Sequence, residues 1–104
     1  MDKHNLFLQA IHETKKVKIK AYFYDKGFRE RICIPFDFGF SRKFHDKRDR
    51  YHFYDLDSPD GSHNLSILPT QLIKITLLEE TFEPKDYVKW KPNWFIERDW
   101  GIFS

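Results

Sequence analysis

The chain has one cysteine, Cys33, among its 104 residues. A single thiol excludes an internal disulfide, and nothing in the sequence indicates an oxidising compartment. Cys33 stands between Ile32 and Ile34 in an apolar stretch, so we expect a structural, partly buried thiol rather than a reactive one.

Long apolar runs are also missing. Nowhere do about 18 apolar residues follow one another, which is the length that a membrane-spanning helix requires. The N-terminus lacks the continuous apolar segment of a signal peptide. We therefore expect a cytoplasmic protein without membrane association.

Neither sign of charge dominates, because 18 Lys and Arg residues against 16 Asp and Glu residues give a formal net charge of +2. With 40% hydrophobic residues, this balance is typical of a folded globular protein and excludes a disordered chain. Aromatic residues are abundant instead: eleven Phe, five Tyr and three Trp. Aromatic side chains favour pleated, half-buried surfaces, so the composition predicts β structure in one domain.

The first part of the chain predicts a helix and a hairpin. Apolar residues recur at helical spacing within residues 2–14, which predicts an amphipathic helix. Residues 17–24 (VKIKAYFY) alternate like a half-buried strand, and residues 25–27 form a turn signal before a second strand at 28–34. We expect Pro35 to end regular pairing, because proline has no N–H for the ladder, and Gly39 to mark a bulge or corner.

The later segments predict three more strands. Residues 51–57 (YHFYDLD) alternate again, although the letters leave open which face is inside. Residues 58–62 (SPDGS) predict a turn, and the fourth strand begins near His63. A one-turn linker at 68–72 then lets the last strand return beside the first.

These segments predict an α+β, mainly β fold: an N-terminal helix followed by a five-stranded SH3-like or Sm-like barrel with a Trp-rich C-terminal extension. We expect residues 1–84 to form the helix and barrel, and residues 85–104 to form an aromatic extension packed on the same domain.

The order of the segments resembles the WYL domain, an Sm-like β-barrel of bacterial transcription regulators. The similarity is carried by AIHETKKVKIKAY at 10–22 and IKITLLEETFEP at 73–84. Tyr51, His52 and Phe53 occupy the positions of the Trp-Tyr-Leu motif, and Leu68 and Gln71 stand where the family usually carries arginines. The resemblance implies a regulatory domain with a surface for an anionic ligand.

Cations are concentrated in the loop at 41–50 and along the first strand, where phosphate groups would be attracted and neighbouring rings would stack on bases. The residues that we predict to bind a nucleic acid, a nucleotide or another anionic ligand are Lys18, Lys20, Arg42, Lys43, Lys47, Arg48, Arg50 and Tyr51. A solvated loop that only keeps the protein soluble is the alternative.

The aromatic residues of the tail give a second hypothesis, a protein-interaction or self-association surface at Trp94, Phe95 and Trp100. The alternative is that these rings complete a small core.

We expect no enzyme, no cofactor and no metal site. The serines and histidines show no nucleophile-elbow pattern. His45, Asp46, Asp49 and His52 match no zinc spacing, and Asp55, Asp57 and Asp60 lack the spacing of a calcium loop.

Overall fold

In the computed structural model, which describes residues 2–104, the chain begins with helix α1 (Lys3–Glu13). Asp2 caps this helix, since its carboxylate accepts a hydrogen bond of 2.8 Å from the backbone N–H of Asn5. The helix ends where Thr14 adopts the left-handed conformation and its N–H reaches back to the carbonyls of the last turn. The predicted N-terminal helix is confirmed.

Five antiparallel strands follow and form one sheet in the order β4-β3-β2-β1-β5. Their bounds are Lys15–Phe23 (β1), Gly27–Phe40 (β2), Asp49–Asp55 (β3), Asn64–Ile67 (β4) and Leu72–Thr81 (β5). A single helical turn, α2 (Pro84–Tyr87), and a short 3-10 turn at Gly101–Phe103 complete the chain. The mainly β fold with one N-terminal helix is therefore confirmed. Among residues 2–104, no helix has the length and apolar character needed to cross a membrane.

The sheet does not close into a barrel, because β4 and β5 are its two free edges. The short linker does bring the last strand beside the first, as predicted: the N–H of Gln71 donates to the carbonyl of Leu68 at 2.9 Å, and Ile75 pairs with Ile19. β4 is only four residues long and pairs only with β3, so it offers little backbone for a closing ladder.

Strand β2 is longer than predicted. It runs to Phe40, so it does not stop at Ile34 as predicted. Regular pairing is interrupted at Pro35 as expected, but it resumes beyond it. Pro35 pairs with Phe53, and the irregularity that proline requires lies between Pro35 and Asp37. Gly39 is not the bulge either, since it pairs with Arg50.

The core lies between α1 and one face of the sheet. Phe7 of the helix is fully buried and meets Tyr51 and Phe53 edge to face, with ring centroids 4.8 and 5.4 Å apart. Tyr51, Phe53 and Asp55 are buried, so this side of β3 faces inward. The buried residues that complete this core include Ala10, Ile11, Val17, Ile19, Ala21, Cys33, Ile67, Leu72 and Ile75.

The C-terminal tail is part of the same buried cluster. Trp100 is 5% exposed, and its indole N–H donates to the carbonyl of Ile11 at 2.9 Å, at the end of α1. Its ring also packs on Phe82 and Trp94 at centroid distances of 5.4 and 5.5 Å. The tail therefore joins the last strand to the first helix.

Candidate ligand-binding surface

The loop between β2 and β3, which we call the basic loop (residues 41–48), is organised by one carboxylate. Asp46 accepts two hydrogen bonds from the Arg50 guanidinium, at 2.9 and 3.0 Å, and a further one from Arg48 Nε at 3.2 Å. Arg50 also stacks on the Phe44 ring, with 3.9 Å between the guanidinium carbon and the ring centroid. These contacts give the loop a defined shape.

These contacts shift two pKa values. The hydrogen bonds from Arg50 and then from the Arg48 backbone hold the pKa of Asp46 well below its ordinary 3.8. The same pair raises the pKa of Arg50 above its ordinary value. The loop therefore keeps its internal ion pair throughout the neutral range.

Two of the predicted ligand contacts are withdrawn from the surface. Arg50 is 6% exposed and serves Asp46 and Phe44. Tyr51 is 4% exposed, and its hydroxyl lies 3.0 Å from Nδ1 of His4 on helix α1. Tyr51 therefore belongs to the core, and its role as a ligand contact stays a prediction.

The other loop cations point outward. Arg42, Lys43 and Lys47 are exposed, and no carboxylate among residues 2–104 lies within ion-pair distance of them. Arg48 is exposed as well, but it shares Asp46 with Arg50. Three charges of the basic loop are therefore free to meet an anion.

Lys18 and Lys20 lie on the outer face of β1, where exposed rings accompany them. Lys20 stands over the Phe28 ring at 5.8 Å, while Lys18 is 3.6 Å from the Glu30 carboxylate. Tyr22 packs edge to face on Phe28, its cross-strand partner, at 5.2 Å. We call this set, together with Tyr24, the hairpin face (Lys18, Lys20, Tyr22, Tyr24 and Phe28).

The hairpin face reaches the basic loop at Tyr24. A cleft of about 300 Å³, the hairpin cleft, is lined by Tyr24 together with Phe44, Arg48 and Arg50. Tyr24 is 73% exposed and Phe28 58% exposed, so both rings are available to a stacking partner. The two cationic segments predicted separately from the sequence are thus neighbours, joined through exposed rings.

A second cleft, the tail cleft, is also bordered by the basic loop. It has a volume of about 350 Å³ and is lined by Phe40 and Lys43 of the loop region and by Trp90 and Phe95 of the tail. An adjoining groove adds Arg42 and Lys91. The sequence did not reveal this cleft, because its walls come from segments about fifty residues apart, and no local periodicity records such a meeting.

The three tail residues predicted to bind a protein partner differ in exposure. Trp100 is buried, and Trp94 is half-buried, with its indole N–H donating to the Phe103 carbonyl at 2.8 Å. Phe95 is 58% exposed, and Trp90, which the prediction did not include, is 49% exposed. The available apolar surface is therefore Phe95 with Trp90 and Phe40.

A buried ion pair holds the tail against β2. The Asp37 carboxylate accepts hydrogen bonds from the backbone N–H groups of Phe95 and Ile96 at 2.9 and 3.0 Å. The Arg98 guanidinium lies 3.3 Å from the same carboxylate and between the Trp94 and Trp100 rings, at 4.1 and 4.4 Å from their centroids. Burial lowers the pKa of Arg98 to about 10, and Asp37 opposes this shift.

Cys33 and His52 are the remaining titratable candidates from the sequence. Burial raises the pKa of the Cys33 thiol far above its ordinary 9.0, which disfavours the reactive thiolate. His52 bonds Ser66 and the Gly39 carbonyl rather than His45 or Asp49. Among residues 2–104, no three His, Cys, Asp or Glu side chains are grouped so as to hold a metal ion.

No family model matches this chain, and no curated protein matches it in sequence.

Proposed function

We propose that this protein is a regulatory binding module that takes a single-stranded nucleic acid, a nucleotide or a related anionic ligand along the basic loop. The observation that carries the proposal is that the loop with the free cations also lines two clefts that contain exposed rings. Phosphates would lie on Arg42, Lys43 and Lys47, and bases would stack on rings at either side. The role is recognition, with no chemical change in the bound ligand.

This combination of groups is what non-specific single-strand binders use. Cations supply salt-sensitive attraction to phosphates, and each base stacked on an aromatic side chain contributes about 1–3 kcal/mol. The hairpin face adds Lys20, which lies beside Phe28 and pairs across the sheet with Lys74 of β5. A purely solubilising loop would not need exposed rings at both flanks.

We also propose that the sheet is a variant of the SH3-like or Sm-like barrel and that the domain is WYL-like. The strand order and the short linker before β5 support this, since they place the last strand beside the first. The replacement of family arginines by Leu68 and Gln71 means that the anion surface would be the basic loop instead. A cytoplasmic location fits this role.

The test is titration of the 15N-labelled protein with short oligothymidylate at low salt. We expect amide shifts in residues 42–48 and in Lys20 and Phe28, and an affinity that falls steeply with salt, with a slope of about −0.7 per phosphate contacted. Absence of any shift at low salt would overturn the proposal.

Charge reversal supplies the matched control. Arg42→Glu combined with Lys43→Glu should weaken oligothymidylate binding by about tenfold or more, because two phosphate contacts become repulsive. Lys85→Glu in α2 combined with Lys89→Glu just after it makes the same change in net charge outside both clefts. Equal losses in both double variants would show that net charge alone drives binding, contrary to a specific surface.

The tail offers a second candidate function, a protein-interaction surface. Phe40, Trp90 and Phe95 are all exposed by more than two fifths and border one cleft. Phe95→Ser should then abolish any self-association seen by analytical ultracentrifugation. A wild-type protein that stays monomeric at high concentration would exclude self-association through this surface.

A further inference from the structure

The tail cleft holds a hydrogen-bonded pair that the proposed binding function does not use. His52 of β3 and Ser66 of β4 are cross-strand partners. Ser66 Oγ lies 2.7 Å from His52 Nδ1, and the other ring nitrogen, Nε2, lies 2.8 Å from the carbonyl oxygen of Gly39 on β2. Three neighbouring strands thus connect a hydroxyl, an imidazole and a carbonyl through two successive hydrogen bonds.

The carbonyl fixes the tautomer of the neutral ring. A carbonyl oxygen only accepts hydrogen bonds, so His52 Nε2 must carry the proton. Nδ1 is then left with its lone pair facing Ser66, and the Ser66 hydroxyl donates to it. This is the relation of nucleophile, base and orienting group that activates a serine, with the backbone carbonyl in the orienting position.

The pair is also accessible. His52 and Ser66 are both half-buried and both line the tail cleft of about 350 Å³. Trp90 and Phe95 provide apolar walls for an acyl or aryl group. Asn64, Asn93 and Lys43 line the same cleft and carry side-chain N–H groups of the kind that stabilise a developing oxyanion.

The wall of the cleft is held in place by the buried ion pair. Asp37 fixes the backbone of Phe95 and Ile96, so the ring of Phe95 stands at a defined distance from β2. Gly39 permits this approach, since a Cβ there would lie 2.3 Å from the Phe95 ring. The same glycine that supplies the orienting carbonyl therefore also makes room for the cleft wall.

From this geometry we propose that Ser66 is a nucleophile for acyl transfer from carboxylic esters with an aromatic or apolar group, and that His52 is its general base. As Ser66 Oγ bonds to the ester carbonyl carbon, its proton passes to His52 Nδ1. Collapse of the intermediate breaks the bond to the leaving alcohol, which takes that proton. Water then repeats the sequence on the acyl-serine and releases the carboxylic acid and the restored serine.

The competing explanation is a cross-strand hydrogen bond that only stabilises the sheet. The two explanations differ in the reactivity of Ser66 relative to another serine of the same region. Ser62 serves as that reference, because it is exposed, lies four residues away and bonds no histidine. Only the acyl-transfer proposal requires Ser66 to react faster than Ser62.

The experiment treats the full chain with a fluorophosphonate, which loses fluoride and bonds covalently to an activated serine oxygen, and maps the adduct by mass spectrometry. Release of p-nitrophenol from p-nitrophenyl acetate gives a second readout. We expect the adduct on Ser66, and a loss of at least about a hundredfold in labelling rate for His52→Gln, in the range usual for a general base. Ser62→Ala should label as the wild type does.

Ser66→Ala should abolish labelling and reduce p-nitrophenol release to the background that exposed imidazoles such as His12 produce. Circular dichroism of each variant checks that the fold is kept. An unlabelled Ser66 in the folded wild type, or equal rates for Ser66→Ala and Ser62→Ala, would overturn the proposal. Binding of oligothymidylate is measured separately, so its failure would leave this result intact.

Discussion

Asp37 and Asp46 have different structural roles because they are buried to different degrees. Asp37 is buried, so its charge requires both the Arg98 guanidinium and two backbone N–H groups. Asp46 is partly solvated and instead organises its own loop through Arg48 and Arg50. The first fixes the tail to the sheet, whereas the second only shapes a surface.

Removing the charge of Asp37 should destabilise the whole protein. Asp37→Asn leaves Arg98 buried without its counterion, and breaking such a pair costs about 3–5 kcal/mol. We expect a corresponding fall in the free energy of unfolding in urea, measured by tryptophan fluorescence. Glu97→Gln, an exposed carboxylate in the same segment, is the control and should change stability by less than about 0.5 kcal/mol.

A second residue-scale prediction concerns Gly39. Gly39→Ala places a methyl group into the Phe95 ring and should cost about 1–3 kcal/mol by overpacking. In a Phe95→Ala background the clash is gone, so the same substitution should cost little. A double-mutant cycle by urea unfolding measures the difference, and an equal cost in both backgrounds would contradict the contact.

At the scale of the element, the basic loop combines a rigid base with a free rim. Asp46 and Phe44, held by Arg50 at the start of β3, form the base, and Arg42, Lys43 and Lys47 form the rim. The sequence predicted the exposed cations correctly as a group, but it could not separate Arg50 from the rest. That separation depends on a bidentate bond and a stacked ring, which follow from the fold of the loop rather than from composition.

The hydrogen bonds at the base of the loop should lower the pKa of Asp46 that a carboxyl titration measures. The folded pKa of Asp46 is below 3.8, so a 13C NMR titration should give a midpoint under that value. Arg50→Gln removes the hydrogen bonds that lower the pKa of Asp46 most, so it should move the midpoint back towards 3.8. Arg42→Gln removes an equal charge that does not bond Asp46 and should leave the midpoint nearly unchanged.

The sign of the linked stability effect follows from the same shift. A carboxyl whose pKa is lower in the folded state stabilises the fold above its unfolded pKa, and this contribution is lost as the pH falls through the folded value. The difference in stability between the wild type and Asp46→Asn should therefore be constant at neutral pH and shrink only below about pH 4. A stability difference between these two proteins that shrinks between pH 8 and pH 6 would contradict the lowered pKa of Asp46.

At the scale of the whole molecule, the C-terminal tail connects helix α1, near the N-terminus, with strand β2 and the end of strand β5. Trp100 reaches the end of α1, Arg98 reaches Asp37 of β2, and Phe82 at the exit of β5 packs on Trp100. The tail therefore contributes to the core that the helix and sheet begin. We expect a single cooperative unfolding transition for the entire chain.

Substitution of two tryptophans tests this role. Trp100→Ala removes a buried ring and should lower the free energy of unfolding by about 3–5 kcal/mol. Trp90→Ala removes a ring that is half exposed and should cost clearly less. Urea unfolding followed by circular dichroism compares them, and similar losses in the two variants would argue against the tail as part of the core.

The sequence by itself determined the local elements of this protein. Alternation at 17–24 and 51–57, the turn residues at 25–27 and 58–62, and the helical spacing within 2–14 all depend on neighbours within a few residues. Because such signals are carried by adjacent side chains, they predicted the helix, the five strands and the return of β5 to β1. Pro35 misled the prediction of β2, since a bulge accommodated it.

Only the tertiary structure decided which distant side chains meet. Asp37 and Arg98 are 61 residues apart, and His52 and Ser66 are joined only because β3 and β4 pair in one register. Tyr51 turned inward because α1 covers that face of the sheet with Phe7. Burial, pairing and the walls of both clefts arise from packing between elements, and packing depends on the whole chain rather than on any segment of it.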